Sequence, residues 1–247
     1  MSLSLAAGPR VALDTQRVPR HIAIIMDGNR RWAKEHGVPA IEGHRRGMIA
    51  LRNVTRGASD LGVGVLTVYG FSTENWNRDA REISLLFELC VYFARNELIE
   101  LRRNNVRVRV IGEWESLPSA PRRALADLQA ETAGNTGLLL NLAVNYSSHA
   151  ELERAVRAIA RDVARGVLAP NAINEAVIGR YLYTADLPGL DLLIRPGGEQ
   201  RLSNFLLYQA AYAELLMTDV YWPDFSKEDL TRALIEFQRR ERRFGGT

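Results

Sequence analysis

Short apolar, β-branched runs alternate with longer segments of helical period along almost the whole chain, and that rhythm leaves few folds open. His21–Met26 (HIAIIM), Val63–Tyr69 (VGVLTVY), Val106–Ile111, Leu138–Val144 and Leu190–Ile194 read as buried strands. Asn29–His36, His44–Leu61, Arg81–Asn104, Leu117–Ala133, Ala150–Arg165 and Ser226–Arg240 read as helices. The longest carries Ile83, Leu86, Phe87, Cys90, Phe93, Ala94 and Leu101 at helical spacing, the stripe of an amphipathic helix. Gly166 supplies a left-handed stop after Arg165. Strands and helices in this alternation predict an α/β fold, a central, mostly parallel sheet flanked by helices on both faces. No repeat, low-complexity tract or long linker divides residues 19–247, so they are expected to form one domain. Met1–Val18 reads as a mobile N-terminal tail without the basic-then-apolar order of a signal peptide.

Composition narrows the partners. Thirty-two Lys+Arg against 29 Asp+Glu leave a formal charge of +3, too little for a dedicated nucleic-acid binder. The single cysteine, Cys90, excludes a disulfide scaffold or a multi-cysteine metal site and fits a reducing compartment. No apolar run reaches the ~18–20 residues of a membrane span, so a cytoplasmic protein is expected.

In a parallel sheet, ligands bind beyond the carboxyl ends of the strands. The first strand runs into Asp27-Gly28-Asn29-Arg30-Arg31-Trp32, a carboxylate, a glycine and two guanidiniums at a helix start. The second runs into Phe71-Ser72-Thr73-Glu74-Asn75-Trp76-Asn77-Arg78. The last runs into Arg195-Pro196-Gly197-Gly198-Glu199-Gln200-Arg201-Leu202-Ser203-Asn204, where the Gly-Gly turn is expected to offer backbone amides and the arginines forks for phosphate oxygens. A lone Asp-Gly is usually a turn, and a lone arginine pair usually a solvated face. Several arginine-bearing loops at strand ends, joined by one metal-suitable aspartate, point instead to phosphate ester or diphosphate chemistry. No P-loop, G-x-G-x-x-G or H-E-x-x-H occurs, and the four histidines lack metal-ligand spacing.

With HIAIIMDGNRRWAK, Gly43-His44, FSTENWNR, TAGNTGLLLNLAVNY, DLLIRPGGEQRLSNFLLYQAAYAEL, WPDF and RERRFGG in this order, the chain resembles the cis-prenyltransferases of the undecaprenyl diphosphate synthase type. The resemblance implies a homodimer that adds isopentenyl diphosphate head-to-tail to an allylic diphosphate such as farnesyl or geranyl diphosphate. Each new double bond is cis, and the lipid product brings peripheral contact with a membrane. It implies that Asp27 coordinates Mg²⁺ on a diphosphate, with Glu214 as a second metal contact. Gly28, Asn29, Arg30, Arg31, His44 and Arg78 correspond to the allylic diphosphate pocket. Arg195, Arg201, Leu202 and Ser203 correspond to the isopentenyl diphosphate pocket. Asn75, with Ser72, Thr73 and Glu74, corresponds to the group handling the proton lost from the isopentenyl unit, and Trp32 and Trp76 to walls around the reacting head. His149, Trp222 and Cys90 read as structural.

Two places depart from the family. An arginine usual before Gly-His is Ala40 here, removing one charge-assisted bond of ~1.5–3 kcal/mol, with Arg45 and Arg46 as the nearest replacements. The usual N-Y-G-G-R is Asn145-Tyr146-Ser147-Ser148-His149, and two serines do not easily adopt the positive φ that glycines allow, so a different loop shape is expected. The alternatives are a short-chain or branched or cyclised prenyl diphosphate synthase of the same family, a non-catalytic prenyltransferase subunit, and an aspartate-nucleophile phosphohydrolase. The retained Asp27, Arg78, Arg195 and Arg201 count against the subunit, and Asn29, where such hydrolases carry a second aspartate, against the hydrolase. Phe93 is expected to point from the amphipathic helix into the channel for the prenyl tail, or else to pack as core against the sheet.

Overall fold

A computed structural model of the chain describes residues 12–240. Strands β1 (His21–Ile24), β2 (Val65–Ser72), β3 (Arg107–Ile111), β4 (Leu139–Tyr146), β5 (Leu192–Pro196) and β6 (Glu214–Thr218) form one sheet in the order β3-β4-β2-β1-β5-β6, parallel at every pairing. The helices are α1 (Asn29–Glu35), α2 (Ala40–Asp60), α3 (Ala80–Asn96), α4 (Leu98–Arg103), α5 (Ser119–Thr132), α6 (Ser148–Ala164), α7 (Glu175–Arg180) and α8 (Lys227–Arg239). The single-domain, parallel-sheet expectation holds. The long helix expected over Arg81–Asn104 is instead two helices that meet at Glu97, whose buried carboxylate pairs with Arg52 of α2 at 2.9 Å.

A parallel sheet covered on both faces needs strands apolar on both sides, and every residue of β1 and β4 is buried. The two-residue period sorts them. Ile22 and Ile24 face a layer built by Leu51 and Val54 of α2, Phe93 of α3, Leu125 of α5 and Leu230 of α8. Ala23 and Ile25 face a second layer with Tyr146, Leu193, Phe205 and Leu206. Asn141, polar in the middle of β4, donates to Thr67 Oγ1 at 3.1 Å, and that hydroxyl also meets His21 Nε2 at 2.7 Å.

The N-terminal expectation needs correcting. Residues 1–11 lie outside the described residues, but Leu13 and Val18 pack on the core. Asp14 N–H donates to Gln238 Oε1 at 3.1 Å, and Gln238 Nε2 returns a bond to the Asp14 carbonyl at 2.7 Å. The fold therefore begins ahead of Pro19. No helix among the described residues is long and apolar enough to cross a membrane.

β1 has β2 on one side and β5 on the other, so the order of connection reverses beside it. A crevice opens at such a reversal, beyond the carboxyl ends of the strands.

Candidate active site

Asp27 leaves β1 into that crevice, and Arg195 reaches it from the end of β5. Arg195 is almost fully buried and donates to Asp27 Oδ2 at 2.9 Å, to Ser203 Oγ at 2.9 Å and to the Arg201 carbonyl. Arg31, one turn into α1, holds the same Asp27 oxygen at 3.2 Å and Glu199 at 3.3 Å, and Glu199 also pairs with Arg201. Burial pushes the Asp27 carboxyl up, but the Arg195 hydrogen bond and charge, the Gly28 amide and Arg31 outweigh it and hold it below its ordinary range. Asp27 is therefore ionised at neutral pH and stands between two groups of arginines.

Two cavities open around Asp27, and Asn29, His44 and Arg78 line both. One cavity, of about 750 Å³, is lined by Gly28, Asn29, Arg30, Arg31, Lys34, His44, Arg78 and Arg201 together with Asp27 and Glu199. No side chain caps α1, whose first residues line this space. Gly47 lets α2 approach closely there, since a Cβ would stand 2.4 Å from Asn29 Oδ1. His44 is largely buried but not fully so, and burial and the Arg78 charge, against Glu82 and with Arg30, push it down to about 4, so the ring is neutral. Ala40 lines the cavity, as does Lys34; Arg45 is committed to Glu42 at 2.8 Å, and neither Arg45 nor Arg46 lines the space.

The other cavity, of about 620 Å³, starts at Asp27, Ser72, Glu74, Asn75, Arg195, Ser203 and Asn204 and continues into an apolar chamber. Met48, Leu51, Phe71, Leu86, Phe87, Cys90, Phe93, Leu125, Leu142 and Trp222 wall it. The chamber ends part-way along β4 and α2 and in the last turn of α3. It includes Val144 and Leu142 but not Leu140 of β4, Leu51 but not Val54 of α2, and Phe93 but not Ala94 of α3. Beyond lies solid core. Asn75 Oδ1 accepts from the Ser72 amide at 3.1 Å and fixes the turn that follows β2. Glu74 accepts from Asn204 Nδ2 at 2.9 Å; burial pushes its carboxyl up, and that amide with the neighbouring hydroxyls holds it below its ordinary range.

Several sequence expectations are corrected here. Trp32 turns away from both cavities, stacks on His36 with ring centroids 4.1 Å apart and donates to Asp224 at 2.8 Å. Trp76 packs against Phe71 and Phe87 and donates to Asn145 at 2.8 Å, lining neither cavity. Thr73 and Leu202 line neither; Thr73 donates to Glu74, and Leu202 packs in the second core layer. Glu214 is paired with Arg240 at 2.9 Å, opposite Leu192, which is opposite Ile22. That register leaves it at the amino-terminal end of the strands, whereas Asp27 lies beyond their carboxyl ends.

The Gly197 and Gly198 amides are spent on the Val220 and Thr218 carbonyls; their φ of 94° and 76° serve a turn that passes close to Asp27 and Arg31. The Ser147–Ser148 loop needs no positive φ, because Ser147 is extended and its Oγ caps α6, accepting from the Ala150 amide at 3.2 Å. Cys90 and Trp222, read as structural, both line the chamber. Sequence reasoning missed Asn204 and Glu82. Asn204 follows Ser203 in a run of non-glycine residues at positive φ, a backbone feature with no sequence marker.

Among the described residues no three His, Cys, Asp or Glu side chains converge as a metal cluster. One ionised carboxylate does fit a hard cation that keeps most of its waters and takes its other ligands from phosphate oxygens.

A site with two cationic pockets that share one acid at the mouth of an apolar chamber is built for substrates with anionic heads and at least one apolar tail. The comparisons agree. The family model described as "Putative undecaprenyl diphosphate synthase" matches residues 25–245. An isoprenyl transferase of Heliobacterium mobile is 51% identical over 234 residues, 95% of this chain and 90% of that one. One from Brucella abortus is 53% identical over 228 residues, covering 92% and 90%. Among solved structures, lavandulyl diphosphate synthase from Lavandula x intermedia, in complex with dimethylallyl diphosphate, superposes with a TM-score of 0.90 at 36% identity, covering 93% of this chain and 99% of that one. A structure titled as a "probable undecaprenyl diphosphate synthase" from Campylobacter jejuni gives 0.76 at 31%, covering 92% and 98%. The chain belongs to the undecaprenyl diphosphate synthase family and is an isoprenyl transferase.

Proposed function

We propose that the protein joins isopentenyl diphosphate to an allylic diphosphate, forming a cis double bond and releasing diphosphate. The observation that carries this reading is Asp27, ionised and in contact with both Arg195 and Arg31 where the two cavities meet. Arg30, Arg31, Arg78, His44, Gly28 and Asn29 hold the allylic diphosphate, whose tail runs into the chamber. Arg195 and Ser203 hold the isopentenyl diphosphate, with Arg201, whose carbonyl Arg195 meets and whose residue lines the neighbouring cavity, reaching it from that side. Departure of diphosphate leaves a cation-like allylic carbon, and the arginines stabilise the negative charge where it develops. The chemistry that Mg²⁺ supplies when held by Asp27 is Lewis-acid stabilisation of that same charge. The nucleophile is only a carbon–carbon double bond, so orientation contributes much of the acceleration. Phe71, Phe87, Met48 and Leu86 keep water from the cationic carbon. The proton lost from the isopentenyl unit ends on the released diphosphate, and Asn75, beside Ser72 and Glu74, is assigned to its passage.

The protein is proposed to work as a homodimer in the cytoplasm, touching membrane through its lipid product. Leu215, on the edge strand β6, and neighbouring Tyr212 are exposed and support an interface there. The arginine-rich run Arg239–Arg243 passes out of the described residues after Arg240.

The test is incubation with Mg²⁺, farnesyl diphosphate and labelled isopentenyl diphosphate. Label is expected in a longer prenyl diphosphate, and none with EDTA; no incorporation under any condition overturns the reading. Separate pockets also make a kinetic expectation. Ser203→Ala, in the chamber-side cavity alone, is expected to raise mainly the KM for isopentenyl diphosphate, and Arg30→Ala, in the other cavity alone, mainly that for the allylic partner, each by roughly tenfold, the worth of one charge-assisted bond. Equal effects on both substrates would refute separate sites.

A further inference from the structure

Glu82 sits in the first turn of α3, and the functional assignments above leave it without a task. Arg78 Nη1 donates to its Oε1 at 2.9 Å, His44 Nε2 lies 3.8 Å from that oxygen, and Arg30 Nη1 lies 4.0 Å from Oε2. The three partners come from three elements: the turn after β2, α2 and α1. Each of them lines the cationic cavity, whereas Glu82 lines neither cavity. Its carboxylate therefore stands behind the cations. No other acidic side chain among the described residues lies within ion-pair distance of Arg78 or Arg30, and His44 Nε2 has no hydrogen-bond partner.

We propose that Glu82 is a positioning residue for the allylic diphosphate, holding Arg78, His44 and Arg30 together from behind so that they present one surface to the phosphates. The proposal rests on the allylic assignment of that cavity. Two like-charged guanidiniums on long, flexible stems would otherwise spread apart and lose rotamer order before meeting a ligand. The carboxylate balances them and leaves their cavity-side donors free. Its place on α3 also ties the head of the substrate to the helix whose Leu86, Phe87 and Phe93 line the tail chamber.

The sign of the effect separates positioning from bulk charge. Coulomb's law alone says that removing a negative charge beside a cationic pocket strengthens anion binding. Positioning says that it weakens it. The experiment compares wild type, Glu82→Ala and Glu82→Gln in three measurements: calorimetric binding of farnesyl diphosphate without isopentenyl diphosphate, the KM for isopentenyl diphosphate, and Tm. Glu82→Ala is expected to weaken farnesyl diphosphate binding by roughly tenfold, with the isopentenyl KM within about twofold. Glu82→Gln, of the same shape and still able to accept from Arg78, is expected to fall between, and it serves as the test if the alanine variant does not fold. Unchanged or tighter farnesyl diphosphate binding, or a parallel loss for both substrates, would overturn the inference. A wild type that incorporates no label refutes the prenyl transfer reading itself, whereas an active wild type with indifferent Glu82 variants refutes only the role given to Glu82.

Discussion

Asp27→Ala is expected to lower turnover by about three orders of magnitude while the fold stays intact. Among the described residues the carboxylate is the one acid in contact with both Arg31 and Arg195, and both cavities begin at it. Without it, no carboxylate at the junction would hold a cation for the diphosphate, and Arg195 loses its carboxylate partner while Arg31 keeps Glu199. Removing one partner of a fully buried pair costs roughly 3–5 kcal/mol. Here the acid is partly exposed, and Arg195 keeps Ser203 Oγ and the Arg201 carbonyl as acceptors. A fall in Tm of only a few degrees is therefore expected. Asp27→Asn, which keeps the shape, separates charge from packing and is expected to be nearly as inactive. Turnover at saturating substrate, read beside Tm, checks this; a fully active Asp27→Ala protein would falsify the mechanism.

The second large effect concerns what is made rather than how fast. Phe93 closes the chamber from α3, with Leu125 and Leu142 opposite, and the same residue belongs to the packed core below. The two expectations for its ring thus meet in one side chain. Each isoprene unit adds five carbons, and at ~0.8 kcal/mol per buried carbon it gains up to ~4 kcal/mol of binding while room lasts. When the room ends, the next unit gains nothing and must displace packed side chains, so the product leaves. Phe93→Ala is expected to shift the product distribution towards longer chains, measured by sizing labelled products. A buried Phe→Ala change costs about 3–5 kcal/mol, less where the ring already borders a cavity, so Phe93→Leu provides the milder variant. Retained activity with an unmoved distribution in both variants would make Phe93 ordinary core.

Much of this was legible in the residues. Strands such as HIAI and LLNLAVNY announce themselves because burial on both faces demands continuous apolar runs. β6, ELLMT, does not; its lone β-branched residue comes last, and its place follows from pairing with β5. The break between α3 and α4 carries no glycine or proline to mark it. Within the site, chain order placed Asp27, Arg78 and Arg195 at strand ends, and the crevice lies there. Direction was the harder matter. Nothing in a sequence says that the Trp32 ring turns to His36 and Asp224, that the Trp76 ring packs behind Phe71 and Phe87, or that the Gly197 and Gly198 amides are already bonded. Glu82 was invisible because i,i+4 pairing with Arg78 looks like any solvated helix face; only the arrival of His44 and Arg30 from other helices gives it meaning.

α3 meets the anionic head at one end and the chamber's blind end at the other, some 20 Å apart along a single rod. Chemistry and product length therefore answer to different turns of one helix. Longer products from Phe93→Ala would mean that substitutions near its base retune how long a lipid is made without touching the groups that make it. A lineage carrying this scaffold can diversify its products by drift at a few buried positions while purifying selection holds the mouth constant.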